Sequence, residues 1–240
     1  MAETSERVAV VTGAGGGLGR TFAAALAADG WSVACLGRTA ATLEETVGGL
    51  AGVDRHLAVV CDVADEAAVT KAFATVTDHY GRLDLLVNNA GIPGPTGDLA
   101  DIDAAEWRAT MDTNLTGTFL CTRAAFQWMR GHGGGRIINN GSIAGHRPRA
   151  GAAAYAASKR GGGQPDGHHL PGRAPARDHG DGAGHRQRPD RTARVLTGSE
   201  PMFDAADAAR LLRTVANLPA EVSVDQVTVT AAGMPYLGRG

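Results

Sequence analysis

A glycine-rich loop between an apolar segment and a helical segment constrains the fold more than any other feature of this chain. Residues 7–13 are short and almost continuously apolar, which is typical of a buried parallel strand. The loop Thr12–Gly19 has the spacing Thr-Gly-x-x-x-Gly-x-Gly, and a helical pattern follows from Arg20 to Asp29. Glycines let the backbone approach an anion closely, and the free N–H groups at a helix start face that anion. The order of strand, loop and helix therefore favours a phosphate site over a merely flexible loop.

Strand and helix patterns alternate along most of the remaining chain. Predicted strands cover residues 31–37, 56–62, 82–91, 136–142 and 226–230, and predicted helices cover residues 39–50, 65–80, 104–129, 152–159 and 204–217. Such alternation is typical of a parallel sheet with helices on both faces, and 240 residues suffice for one such domain. We therefore predict a single α/β domain over residues 1–240, a Rossmann-type doubly wound parallel sheet.

Three polar residues in the middle of the chain indicate acid/base chemistry. Tyr155 and Lys159 occupy positions i and i+4 of an Ala-rich helix, so their side chains share one face. An ammonium beside a phenol lowers the tyrosine pKa, which suits a general acid/base near neutral pH. Ser142 follows an apolar strand pattern and could hydrogen-bond the oxygen of a carbonyl or alcohol. The Tyr-x-x-x-Lys spacing also occurs on solvated helix faces, so the serine and the glycine loop are needed to favour catalysis.

These motifs, together with Asn88-Asn-Ala-Gly, resemble the short-chain dehydrogenase/reductase family. The resemblance is close over residues 7–159 and looser over residues 192–240. It implies reversible hydride transfer between a nicotinamide and a small carbonyl or alcohol substrate. Small-molecule chemistry of this kind needs no nucleic acid, membrane or metal.

The resemblance also implies roles for individual residues. Tyr155 would act as general acid/base, Lys159 would lower its pKa and hold ribose hydroxyls, and Ser142 would position the substrate oxygen. Asn114, in the segment Asn-Leu-Thr-Gly-Thr-Phe, would anchor a water of the proton relay. Besides Tyr155 and Lys159, the implied cofactor-binding residues are Gly13, Gly17, Leu18, Gly19, Arg38, Asp62, Val63, Asn89, Ala90 and Gly91.

The residues at the end of the second predicted strand indicate which nicotinamide cofactor the chain would bind. An acidic residue there would grip the 2′-hydroxyl of NAD, but Gly37 and Arg38 occupy the position. A guanidinium pairs with a 2′-phosphate, which a carboxylate would repel. Arg38 could also be a solvated loop charge. The sequence favours NADP(H), with NAD(H) possible.

The composition of the chain limits the classes of binding partner and the cell compartment that we expect for it. The 23 basic and 25 acidic residues nearly balance, which gives no sign of a nucleic-acid or anionic-membrane partner. No apolar run approaches membrane-spanning length. Cys35, Cys61 and Cys121 are widely spaced and odd in number, as expected for reduced core thiols of a cytoplasmic protein rather than a disulfide frame or a zinc site. We expect a homodimer or homotetramer, with the segment 233–236 as an interface tail.

Residues 160–191 break the pattern. The segment is rich in Gly, Arg, Pro and His, and Leu170 is its only large aliphatic residue. Such a composition cannot supply a core, although the resemblance places the rest of the catalytic helix and a sixth strand here. Codons compatible with this segment, read one nucleotide later, can encode an Ala-, Val- and Thr-rich helix. We hypothesise that residues 160–191 are translated in a shifted frame.

Other interpretations of the chain stay open. It could be a cofactor-binding scaffold without activity, or a defective product that folds incompletely. A metal site formed by His168, His169, His179 and His185 lacks flanking structure, so we expect none.

Overall fold

A parallel sheet with helices on both faces forms the molecule. The computed structural model describes residues 7–161 and 203–231. Its strands are β1 (Val8–Thr12), β2 (Ser32–Gly37), β3 (Leu57–Val60), β4 (Leu85–Asn88) and β5 (Arg136–Asn139). Its α-helices are α1 (Gly17–Ala28), α2 (Ala40–Gly48), α3 (Glu66–Tyr80), α4 (Ala104–Met111), α5 (Gly117–Met129), α6 (Ala153–Gly161) and α7 (Ala205–Ala216).

The strand order places a crevice beside β1. The strands pair in the order β3-β2-β1-β4-β5, and every pair is parallel. The chain builds outward from β1 to β3 and then crosses to the other side of β1 to form β4. The connections after β1 and β4 therefore leave in opposite directions, and ligands of open α/β sheets bind at such a switch point. The predicted doubly wound parallel sheet is confirmed.

Each strand contributes alternate residues to two separate cores. Ala9 and Val11 of β1 pack with α1, α2 and α7, whereas Val8 and Val10 pack with α3 and α5. All of these side chains are at most 1% exposed. Burial on both faces explains why the strands are continuous apolar runs rather than alternating ones.

The three cysteines lie in these cores as free thiols. Burial raises the pKa of Cys35 to about 12 and, as the largest cause, that of Cys61 to about 11. The pKa of Cys121 is also raised by burial. Because the thiolate is the reactive form, these positions favour inert packing thiols.

Helices α3 and α7 begin at aspartate side-chain caps. Asp65 accepts hydrogen bonds from the N–H groups of Ala67 and Ala68 at the start of α3, and Asp204 caps α7 in the same way. The predicted helix 104–129 is interrupted, because a π-helical turn, Asp112–Thr116, joins α4 to α5. Within the described ranges, no helix has the length and apolar character needed to cross a bilayer.

The predicted last strand, residues 226–230, is wrong. This segment forms neither helix nor strand, and Val229 packs instead against the core that α1 and α7 share. A strand requires a neighbour that supplies a hydrogen-bond ladder, and none of the five described strands pairs with residues 226–230. The third, fourth and fifth strands also end earlier than predicted, at Val60, Asn88 and Asn139. The segment 162–191, with its four histidines, and the tail 233–236 lie outside the described residues.

Arg136 fastens the end of α7 to the sheet. From the first residue of β5, its guanidinium donates to the carbonyl oxygens of Val215 at 2.8 Å, Pro219 at 3.1 Å and Val222 at 3.0 Å. Carbonyls at a helix C-terminus lack intrahelical partners, and a cation there also opposes the helix dipole. Because hydrogen bonds to a charged group contribute ~1.5–3 kcal/mol, we expect Arg136→Met to lower the free energy of unfolding by about 2 kcal/mol in urea titrations.

A second arginine provides the control for this prediction. Arg210 lies on the exposed face of α7, where its 74% exposed side chain pairs with Asp207. We expect Arg210→Met to change the free energy of unfolding by less than ~0.5 kcal/mol. Equal losses in the two variants would contradict the role given to Arg136.

Candidate active site

The glycine loop after β1 is closely packed and leaves the start of α1 open. Gly13 has a positive φ of 65°, and a Cβ added there would lie 2.9 Å from the Cα of Ala90. A Cβ at Gly19 would overlap the carbonyl oxygen of Gly13. Among the described residues, no side chain caps α1 at Gly16, and its first turn holds no acidic residue. The N–H groups at the N-terminus of α1 could therefore hold an anion such as a diphosphate, while Leu18 is buried in the core behind them.

Side chains connect the carboxyl ends of three neighbouring strands, β1, β4 and β5. The Thr12 hydroxyl oxygen accepts from the N–H groups of Asn89 at 2.9 Å and Ala90 at 3.0 Å. The Asn89 amide donates to the Thr12 carbonyl at 3.0 Å and accepts from Asn140 at 3.0 Å. The sequence patterns predicted no functional role for the Thr12 or Asn140 side chains. Both are polar residues at the end of an apolar strand pattern, and that position could have indicated a role at the site.

Ser142, Tyr155 and Lys159 come together beside this network. Ser142 caps a short 3₁₀ turn after β5, and its side chain hydrogen-bonds Tyr155 on α6. The Lys159 ammonium donates to the Asn140 carbonyl at 2.9 Å, and its Nζ lies 5.9 Å from the centroid of the Tyr155 ring. The three residues predicted to do acid/base chemistry therefore share one site, at the carboxyl edge of the sheet.

The electrostatics of Tyr155 differ from the expectation. Burial raises the pKa of its phenol, and the hydrogen bond with Ser142 and the charge of Arg149 lower it by less. Desolvation of the phenolate thus outweighs the effects that lower this pKa, so the phenol has a raised pKa here. The lowering expected from Lys159, whose ammonium bonds a backbone carbonyl, stays a prediction.

Asn114 lies in the π-helical turn, with its side chain only 2% exposed. Its Oδ1 accepts from the Ile92 N–H at 2.8 Å, and its Nδ2 donates to the Ile92 carbonyl at 2.9 Å and to the Ser158 hydroxyl at 3.0 Å. Both N–H groups of the amide are thus occupied. A relay water at Asn114, as the resemblance implies, would need other atoms of this residue. The π-helical turn, a feature often found at functional sites, was not predicted.

The remaining candidate cofactor residues line the same edge of the sheet. Arg38 is exposed directly after β2, and the first turn of α2 holds no acidic residue. A Cβ at Gly91 would lie 3.2 Å from Asn114 Oδ1 and 3.8 Å from Lys159 Nζ. Because Gly91 has no side chain, its backbone lies directly beside these two residues.

Asp62 and Val63 have different surroundings from one another. Asp62 is exposed and accepts from the Ala64 N–H at 3.0 Å, while Asp65 provides the helix cap. Val63 is 5% exposed, and its side chain packs against Gly117.

Comparison with known proteins indicates the family and the fold of the chain. The sequence profile of the short chain dehydrogenase family matches residues 7–164. Over 160 residues, the chain is 42% identical to the short-chain reductase protein NovJ of Streptomyces niveus, which covers 66% of this chain and 60% of that protein. The matched stretch is thus about three fifths of the length of that curated relative.

Solved structures show the same architecture. A structure of NAD+-bound xylitol dehydrogenase has a TM-score of 0.62 at 32% identity and covers 66% of this chain and 62% of its own. A structure of actinorhodin polyketide ketoreductase with NADPH has a TM-score of 0.80 at 24% identity and covers 96% and 98% of the two chains. The second likeness concerns the fold alone.

Proposed function

Because the chain belongs to the short-chain dehydrogenase family, we propose that it interconverts a small carbonyl compound and the corresponding alcohol with NADP(H). The observation that carries the proposal is the meeting of Ser142, Tyr155 and Lys159 at the switch-point edge, next to the open N-terminus of α1. Bound there, the nicotinamide would supply or accept the hydride.

The side chains would handle the proton and the positions of the reactants. The Ser142 hydroxyl, held beside the phenol, would hydrogen-bond the substrate oxygen. Tyr155 would donate its phenolic proton to that oxygen during reduction and remove it during oxidation. A neutral phenol, which burial favours, is the form that reduction needs. Lys159, fixed to the Asn140 carbonyl beside Gly91, would hold ribose hydroxyls.

The test is an assay of reduced-nicotinamide consumption with a panel of ketones and aldehydes, run beside a cofactor titration. Turnover with any member supports the proposal. Saturable cofactor binding without turnover across the panel would favour a scaffold, and a broad melt that cofactor does not shift would favour a defective product.

The proposed preference for NADP(H) over NAD(H) rests on Arg38. Among the similar structures, one contains NADPH and another NAD+, so membership of the family leaves both open. An exposed guanidinium at the end of β2, without an acidic neighbour in the first turn of α2, suits a 2′-phosphate.

We expect NADPH to bind this chain about tenfold or more tightly than NADH, and Arg38→Asp to reverse the order. The variant loses the charge-assisted pair between the guanidinium and the 2′-phosphate of NADPH. Its carboxylate instead accepts a hydrogen bond from the 2′-hydroxyl of NADH. Fluorescence titration of both cofactors measures the ratio. Lys71→Glu, the same charge change on an exposed residue of α3, should leave it unaltered. Equal affinities in the unmutated chain would refute the preference.

A further inference from the structure

A buried hydroxyl lies between the two proposed catalytic residues of α6. Ser158 is 0% exposed, three residues after Tyr155 and adjacent to Lys159. Its Oγ donates to the Tyr155 carbonyl oxygen at 2.8 Å and accepts from Asn114 Nδ2 at 3.0 Å. A serine that only satisfied itself within its helix would need just the first of these bonds.

The same hydrogen-bond chain continues to the segment after β4. The Asn114 amide forms a two-point contact with the backbone of Ile92, at 2.8 Å and 2.9 Å. One step earlier in the chain, Gly91 lies beside both Asn114 Oδ1 and Lys159 Nζ. Three elements therefore converge through two buried side chains: the loop after β4, the π-helical turn and α6.

We propose that Ser158 is a positioning residue, whose hydroxyl sets α6 against Asn114 and thereby fixes Tyr155 and Lys159 relative to the loop that follows β4. The consequence for catalysis rests on the proposed function, whereas the positioning itself does not. Ser158 touches neither substrate nor cofactor in this role. Ser158 acts by restricting the side-chain amide of Asn114 to one orientation. Both N–H groups of that amide and one lone pair of its oxygen are engaged when the Ser158 hydroxyl is present.

Hydrogen exchange tests the positioning without any turnover. In Ser158→Ala the Asn114 amide loses one of its anchors, and the Ile92 N–H that it holds should exchange about tenfold faster by NMR. The amides of Val10 and Leu86, in the centre of the sheet, should keep their exchange rates. Alanine favours helix, so α6 gains rather than loses intrinsic propensity. Ser158→Thr, which keeps a hydroxyl, should restore most of the protection of Ile92.

Thr77→Val is the matched control. Thr77 is likewise buried and donates to a carbonyl of its own helix, at 3.0 Å to Phe73, but this contact lies on α3. Its removal should leave Ile92 exchange unchanged. Unchanged Ile92 exchange in Ser158→Ala, or an equal acceleration of all amides, would overturn the proposal.

Turnover provides the second readout once a substrate is known. Ser158→Ala should lower kcat about tenfold and change the cofactor Kd by a smaller factor, because the glycine loop and Arg38 keep their places when α6 shifts. A kcat equal to that of Thr77→Val would overturn the catalytic consequence. If the unmutated chain has no turnover, the proposed function fails, and the exchange rate of Ile92 still decides the positioning.

Discussion

Tyr155→Phe is expected to lower turnover at least ~100-fold while the affinity for NADPH stays nearly unchanged. Among the described residues, the substitution removes the one phenol at the site, and it leaves Lys159, the glycine loop and Arg38 in place. A positioned general acid contributes ~100–10,000-fold, which sets the size of the expected loss. Initial rates with a competent substrate and a fluorescence titration of cofactor measure the two quantities.

Tyr80→Phe controls for the loss of a phenolic hydrogen bond elsewhere. The Tyr80 hydroxyl donates to the Arg55 carbonyl at 3.0 Å, at the end of α3. This variant should keep the full rate. If Tyr155→Phe retained more than a few per cent of the activity, the assignment of the general acid would be wrong.

The pH profile of the unmutated chain checks the same assignment. Alcohol oxidation needs the phenolate, and burial raises the pKa of Tyr155. A raised pKa moves deprotonation to higher pH, so oxidation should accelerate through the alkaline range and reduction should slow there. Any residual activity of Tyr155→Phe should lack this dependence.

The second large effect is expected from the sequence between the two described ranges. The family profile matches only to residue 164, close to the point where the composition changes. Gly162, Gly163 and Pro165 directly follow the described part of α6, and Gly costs ~1 kcal/mol relative to Ala in a helix interior. Pro removes a backbone donor as well. Short helices depend on packing for stability, so the proposed catalytic helix should be weakened as the chain is written.

We therefore expect a chain whose residues 160–191 are replaced by the one-nucleotide-shifted reading to melt at least ~5 °C higher and to be much more active. Since 1 kcal/mol shifts the melting temperature of such a domain by ~2–4 °C, two or three glycine replacements account for a change of this size. Calorimetry and NADPH-dependent reduction compare the two proteins.

A Gly/Ser linker of equal length in place of residues 160–191 controls for simple removal of the segment and should restore neither property. Equal stability and equal activity of the written and shifted chains would refute the frame-shift hypothesis.

Local patterns in the sequence predicted most of the fold but not the contacts made at the site. The buried strands, the glycine loop and the helix starts near Asp65 and Asp204 depend on neighbouring residues, so they could be recognised. The π-helical turn could not be recognised, because its extra residue accompanies bonds from Asn114 to Ile92 and Ser158, which are distant in sequence. The partner of Lys159 is the carbonyl of Asn140, which also depends on tertiary structure.

The last described helix is held by contacts that the chain supplies outside residues 162–202. Asp29 at the end of α1 bonds Arg213 and Asn217 of α7, and Arg136 holds the carbonyl of Val215. Leu212 adds an apolar contact with the core on that side. Residues 203–231 thus contain the side chains and carbonyl groups that bind them to the rest of the described structure. A separate peptide of this sequence would present the same complementary surface to residues 7–161, as the second piece of a split protein does.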